Sequence, residues 1–271
     1  MVHFLIRIFN KLELDLMKSG RILVYGHRGV GFLAPENTMA SFQMVEEIGV
    51  DTIELDVHLT RDGALAVMHD HDVARTTTGE GWIGEMTLEE IRQLDAGSKF
   101  SQLYAGERVP ILSEVLDWAK DRTPLMIEIK GFPEPASGIE TAVVKAVREA
   151  GMSDQVLVKS FFHCSVKRVC EMAPEISTGI LLASAPVDPV RIALEAGANS
   201  LRNFWSYWAE DAVQAAREAD LHTSAWGVNS EVALRRIIEI QLDSFGTDRP
   251  RWALENLEKN NRFDTSLFHS I

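Results

Sequence analysis

Short β-branched and apolar runs alternate with helical patterns along most of this chain, and no other feature restricts its fold as strongly. Eight such runs are legible, at residues 21–25, 52–58, 125–130, 156–160, 178–182, 199–201, 222–226 and 244–247. Between them lie stretches such as 112–120, 140–150, 187–196, 210–219 and 231–240, with apolar residues three and four apart as on one face of a helix. Strands that alternate with helices pair in parallel through crossover connections, so the pattern predicts an α/β fold in the form of a closed (β/α)8 TIM barrel. One connection is too long for that scheme. About forty residues separate His69 from the helix near Leu112, and structureless loops of that length are rare in compact domains. It contains a turn at Gly79–Gly81 and a helical segment, Leu88–Leu94, behind a Thr87/Glu90 capping box. It therefore reads as a structured insertion after the second strand, about residues 70–111, placed at the barrel mouth.

The barrel accounts for residues 21–250 and leaves an N-terminal extension, 1–20, and a C-terminal tail, 251–271. In the extension, Arg7, Asn10, Lys11, Glu13 and Asp15 interrupt the apolar residues and no small-residue cleavage site follows, so no signal peptide is expected. Leu5, Ile8, Leu12 and Leu16 recur at helical spacing, which permits an amphipathic surface helix, but membrane contact is not expected. Met17 offers a second start. A formal net charge of −13 repels polyanions and argues against a nucleic-acid partner, although a small basic pocket can still bind one phosphate. Cys164 and Cys170 are too few for a disulfide framework and lack zinc-site spacing, which suits a reducing cytoplasm. The sequence carries no signal for an oligomeric state.

Chemistry concentrates at the ends of the predicted strands. In residues 51–57, side chains alternate faces, so Glu54 and Asp56 point one way while Ile53, Leu55 and Val57 point the other. The same alternation puts Glu128 and Lys130 on one face of the strand at residues 125–130, where an ionised carboxylate is costly unless paired or metal-bound. Glu54, Asp56 and Glu128 thus form a candidate metal site, and ligation by carboxylates alone suits one hard divalent cation, Mg²⁺ or Ca²⁺, rather than Zn²⁺. His27 and His69 follow strands and stand apart from the acids, as an acid/base pair would. Arg28 offers a planar fork of donors to phosphoryl oxygens. Two other readings compete locally. Pro35-Glu36-Asn37-Thr38 can be plain helix initiation. His69-Asp70-His71 has a ligand spacing found in amidohydrolase barrels, which needs further histidines at later strand ends; His163 and His222 are the candidates.

Taken together, His27-Arg28-Gly29, Pro35-Glu36-Asn37-Thr38 with Ala40 and Phe42, Glu54-Leu55-Asp56-Val57, Thr60 with Asp62-Gly63, His69-Asp70, Arg75-Thr76-Thr77, Glu128-Ile129-Lys130 and Trp226 with Val228-Asn229 resemble the glycerophosphodiester phosphodiesterase family. The resemblance runs from about residue 21 to 250 and includes the excursion after His69, through Pro110 and Glu114-Val115-Leu116. It implies Glu54, Asp56 and Glu128 as metal ligands, His27 and His69 as acid/base residues, Arg28 and Lys130 as phosphate-binding residues, and Trp226 as part of the pocket wall. Two stretches depart from it. Ile111-Leu112-Ser113 stands where a threonine is more usual, a change expected to affect helix capping only, and Arg202-Asn203-Phe204-Trp205, after the sixth strand, has no counterpart and is a candidate for tuning substrate choice.

The implied reaction is metal-dependent hydrolysis of a small-molecule glycerophosphodiester to glycerol 3-phosphate and an alcohol, with His27 as base and His69 as acid. Phe32, Leu33, Phe204 and Trp205 leave open a lysophospholipase D acting on an acylated substrate. A non-catalytic barrel that keeps the cation for stability and binds a phosphorylated ligand would need only the carboxylates, so the two histidines weigh against it.

Overall fold

The computed structural model describes residues 21–264, and the N-terminal extension lies outside the described residues. Strands β1 (Leu23–Gly26), β2 (Thr52–Leu59), β4 (Leu125–Ile129), β5 (Val156–Ser160), β6 (Ser177–Leu182), β7 (Ser200–Phe204), β8 (His222–Trp226) and β9 (Ser244–Thr247) pair in parallel. Because β1 pairs with both β2 and β9, the sheet closes on itself as an eight-stranded barrel. All eight predicted strands are present. The sixth, expected at residues 199–201, runs on to Phe204, so the unassigned Arg202-Asn203-Phe204 belongs to a strand rather than a loop.

A ninth strand, β3 (Leu65–Val67), was not among the eight expected. It pairs antiparallel with the far end of β2, beyond the short contact of β2 with β1. At three residues it is too short to show a period. It opens the insertion, which continues through α2 (Leu88–Arg92) to α3 (Leu112–Ala119). Thr87 and Glu90 make the expected reciprocal cap on α2, and Asp62 accepts the Leu88 N–H at 3.0 Å, which fastens the β2–β3 turn to that helix. Ile111 precedes α3 without an acceptor side chain, and Glu114 alone takes the Ile111 N–H, at 3.0 Å. The remaining helices are α1 (Met39–Ile48), α4 (Ile139–Ala150), α5 (His163–Met172), α6 (Pro189–Glu195), α7 (Glu210–Glu218), α8 (Glu231–Glu239) and α9 (Pro250–Asp264). The last of these occupies the start of the stretch read as a tail and packs on β1 and α1. No helix among the described residues is long and apolar enough to cross a membrane.

The apolar core lies mainly between strands and helices. Its two large clusters follow the two halves of the barrel, one around Ile53, Leu55, Ile127 and Val158, the other around Val24, Leu201, Ala225 and Phe245. Each fully buried aliphatic or aromatic side chain there contributes about 1.5–3 kcal/mol. Inside the barrel a small apolar group of Tyr25, Met126 and Leu157 fills the lumen. The buried Arg202 places its guanidinium 5.7 Å from the Tyr25 ring centre and donates to Ser224 Oγ at 3.1 Å. Gly246 makes this packing possible, since a Cβ there would sit 2.1 Å from Tyr25 Cε2. Gly246→Ala is therefore expected to destabilise the protein by about 1–3 kcal/mol, the cost of overpacking a close-packed interior. Thermal unfolding checks this, and an unchanged melting temperature would show that Tyr25 can move freely.

Candidate active site

Parallel strands point their C-terminal ends to one rim, and the candidate residues collect there. Glu54 and Asp56 lie two apart on β2, and the β2–β4 register sets Asp56 beside Glu128. All three are buried, at 0 %, 0 % and 6 % exposure. One oxygen from each lies within 4.8 Å of the others, a set able to hold a metal ion. Glu54 Oε1 and Asp56 Oδ1 are buried without a hydrogen bond. An oxygen in that state fits a hard cation, because burying it unsatisfied is otherwise costly. The three acids face three cations. Lys130 Nζ donates to Glu128 Oε1 at 2.7 Å and lies 3.5 Å from Asp56 Oδ1. Arg28 Nε lies 3.4 Å from Asp56 Oδ2, and its backbone N–H donates to Glu54 Oε2 at 2.9 Å. Lys159 Nζ sits 2.9 Å from Glu54 Oε1 and 3.5 Å from Glu128 Oε2, off the direction a hydrogen bond to Glu54 requires. Burial pushes the Asp56 carboxyl up, but Lys130 and Arg28 outweigh it and hold the group well below the usual carboxylate range.

The turn after β1 is demanding. Arg28 has φ +53° and Gly29 φ +93°, and a Cβ on Gly29 would lie 2.1 Å from Ser41 Oγ, so the position requires glycine. That turn aims the Arg28 N–H at Glu54 and leaves Ser41 Oγ to accept the Val30 N–H at 2.8 Å. Asn37, also at positive φ, donates through Nδ2 to Asp56 Oδ2 at 2.8 Å and accepts the Asp56 N–H at 3.3 Å. The helix-initiation reading of this segment holds for Thr38, which caps α1. Glu36 and Asn37 belong to the site instead.

Each histidine is backed by a carboxylate. His27 Nδ1 lies 2.6 Å from Asp248 Oδ1, just past β9, and Asn229 Nδ2 holds the other Asp248 oxygen at 2.5 Å. His69 Nδ1 lies 2.6 Å from Asp70 Oδ1, and Arg75 Nε donates to Asp70 Oδ2. The Arg75 fork then grips Glu36 at 2.9 and 2.7 Å, and Glu36 also accepts from Arg28 at 3.1 Å. Burial raises the Asp70 carboxyl, and the hydrogen bonds from Arg75 and His69 override that to hold it at about 2. His58, whose pKa burial lowers, contacts the His69 carbonyl through Nε2 at 3.0 Å and so fixes the backbone there. With Nδ1 engaged, Nε2 is the nitrogen each catalytic candidate has available for proton transfer.

Trp226 ends β8 at the same rim. Its Nε1 donates to Leu182 O at 3.0 Å, and its ring packs 4.8 Å from Phe204 and 5.9 Å from Phe161. The amidohydrolase alternative does not assemble. His71 stacks face to face on Phe132 at 3.9 Å, His163 contacts the Leu181 carbonyl, and His222 lies buried at the start of β8 against Ser244. Lys159 and Asp248 were missed from sequence. Lys159 did carry a signal, since it shares a strand face with Leu157, one residue before the strand ends. Asp248 offered less, a lone acid one residue past a short strand.

The sequence profile of the Glycerophosphoryl diester phosphodiesterase family matches residues 27–251. A glycerophosphodiester phosphodiesterase of Caldanaerobacter subterraneus is 39% identical over 240 residues, covering 88% of this chain and 99% of that protein. Among solved structures, an Oleispira antarctica phosphodiesterase in complex with the product sn-glycerol-3-phosphate superposes with a TM-score of 0.79 at 28% identity, over 87% of this chain and 96% of that one. A glycerophosphodiester phosphodiesterase of Agrobacterium tumefaciens gives 0.76 at 29% identity, over 86% and 100%. The chain belongs to the glycerophosphoryl diester phosphodiesterase family.

Burial lowers the His27 pKa, but the Asp248 hydrogen bond and the charges of Glu54 and Asp248 raise it further, to a net value above the ordinary 6.5. The stability this pair contributes is full below pH 6.5 and is lost as pH rises through the folded value. Asp248→Asn is expected to lower the His27 pKa, read by NMR titration of the metal-free protein. An unmoved titration would mean that Asp248 does not set the protonation of His27.

Proposed function

We propose that this protein hydrolyses glycerophosphodiesters to glycerol 3-phosphate and a free alcohol with the help of one divalent cation, Mg²⁺ or Ca²⁺. The observation that carries the reading is the pair of carboxylate-backed histidines beside three buried carboxylates, two of which keep an oxygen without a hydrogen bond. Glu54, Asp56 and Glu128 would hold the cation, which when bound supplies Lewis-acid neutralisation of the anionic diester. Arg28 and Lys130, 19% and 14% exposed in their side chains, are the cations placed to bind the phosphoryl oxygens. His27 and His69 move the protons: one takes the proton of the attacking oxygen and the other gives one to the departing alcohol, each worth about 10²- to 10⁴-fold. We assign His27 as base and His69 as acid. Trp226, with Phe161 packed against its ring, would line the pocket. The low cysteine count, Cys164 and Cys170, accords with a cytoplasmic setting.

A second reading, lysophospholipase D activity, is favoured by exposed apolar groups at the rim. Phe32, Leu33, Trp82, Phe132 and Phe161 are each at least 42% exposed and could receive an acyl chain.

Three outcomes are expected. Chelation should abolish turnover of glycerophosphocholine or glycerophosphoethanolamine, and Mg²⁺ or Ca²⁺ should restore it; full activity after exhaustive chelation, or recovery by Zn²⁺ alone, would sink the metal assignment. His27→Ala and His69→Ala should each lower kcat by about two orders of magnitude while circular dichroism stays native; near-normal kcat would return that histidine to a structural role. Finally, kcat/KM should favour glycerophosphocholine over its acylated counterpart, and DNA should neither be cleaved nor compete at moderate salt. A tenfold preference for the acylated form, about 1.4 kcal/mol, would promote the lipid reading.

A further inference from the structure

Lys159 stands apart from the other basic residues of the site. It is 2% exposed, on β5, whereas the Lys130 side chain is 14% exposed. Its Nζ lies between two of the three acids, 2.9 Å from Glu54 Oε1 and 3.5 Å from Glu128 Oε2. The strand register fixes it there, with Glu128 on β4 beside it on one side and Gly179 on β6 on the other. With its side chain 3% exposed, the ammonium is closed off from water. A buried ammonium without carboxylate partners is strongly unfavourable, so Lys159 depends on Glu54 and Glu128. The acids need it only while no other cation neutralises them. Arg28, Lys130 and Lys159 already match Glu54, Asp56 and Glu128 charge for charge. A dication therefore arrives at a triad whose own charge is already offset, and close to a positive charge that cannot leave.

We propose that Lys159 is an internal counter-cation of the metal centre. It holds Glu54 and Glu128 in place in the metal-free protein and, by like-charge repulsion at short range in a poorly solvated site, weakens the affinity for the dication. Lys159 is thus a positioning residue that keeps the cation exchangeable, at the cost of tight binding. The inference rests on the triad being the metal site, and the test separates the two.

Mg²⁺ and Ca²⁺ are each titrated by calorimetry into the metal-free full chain and into Lys159→Met, which has similar length and no charge, with thermal unfolding measured on both. The variant is expected to bind the cation at least about tenfold more tightly, 1.4 kcal/mol. Its metal-free form should melt lower than the wild type, and the rise in melting temperature on adding cation should be larger. Equal or weaker binding by Lys159→Met, with the wild type binding normally, overturns the role of Lys159 and leaves the triad assignment intact. Binding by neither protein removes the triad assignment and this inference with it. Should Lys159→Met fold only when the cation is present, the dication has replaced the ammonium, as expected. If it stays unfolded at saturating cation, Lys159 does something a dication cannot do, and the inference fails.

Discussion

The site depends on an electrostatic balance struck inside the rim of a barrel. Three carboxylates that are almost entirely buried would be prohibitively costly as isolated anions, and each has a cation beside it from another strand or turn. Arg28 arrives from the turn after β1, Lys130 from just past β4 and Lys159 from β5, so the charge match is also a closure constraint on the barrel. Losing one partner leaves an unpaired charge in a place water does not reach. Replacing both members of a pair would be milder for stability, but it would remove the chemistry.

From that balance the insertion acquires a role beyond covering the mouth. Asp70 and Arg75 lie in it, and through Glu36 they connect His69 to Arg28 in the turn after β1. His69 therefore takes its orientation from residues that the barrel alone does not supply. His27, in contrast, is braced by the barrel itself, through Asp248 and Asn229 at the ends of β9 and β8. The two histidines are chemically alike and mechanically different. One is held by the scaffold, and the other by a segment whose apolar core is the small cluster around Met68, Val73, Ile83 and Ile91.

Much of this was legible before any coordinates, for a physical reason. Period-two alternation on short strands reports which side chains share a face, so Glu54 with Asp56 and Glu128 with Lys130 were readable as inward pairs. The strand alternation likewise reported the barrel, because parallel pairing leaves few other arrangements. What escaped was information that exists only after closure. Asp248 meets His27 because β9 closes against β1, 221 residues apart in the chain. Arg202 sat outside the strand as read, which ended at Leu201, and the space it fills is defined by Gly179, Ser224 and Tyr25 on three other strands. Lys159 was readable in principle, but a single lysine one residue before a strand end reads as a solvated terminus unless its neighbours are known.

The depth of each cation separates function from support. Lys130 follows its strand and keeps part of its side chain in solvent, where a phosphate can compete with Glu128 for its ammonium. Lys159 lies within its strand and has no such freedom. Two lysines that contact the same glutamate are thereby divided by their exposure, the outer one proposed to exchange a carboxylate for substrate and the inner one held by the carboxylates beside it. Arg28 is intermediate, with its backbone committed to Glu54 and its guanidinium shared between Glu36 and Asp56. On the proposed assignment a substrate anion entering the rim would meet Lys130 and Arg28 first, both already held in place by the acids they pair with. Preorganisation of this kind places positive charge on the diester without the cost of ordering two long side chains during the reaction.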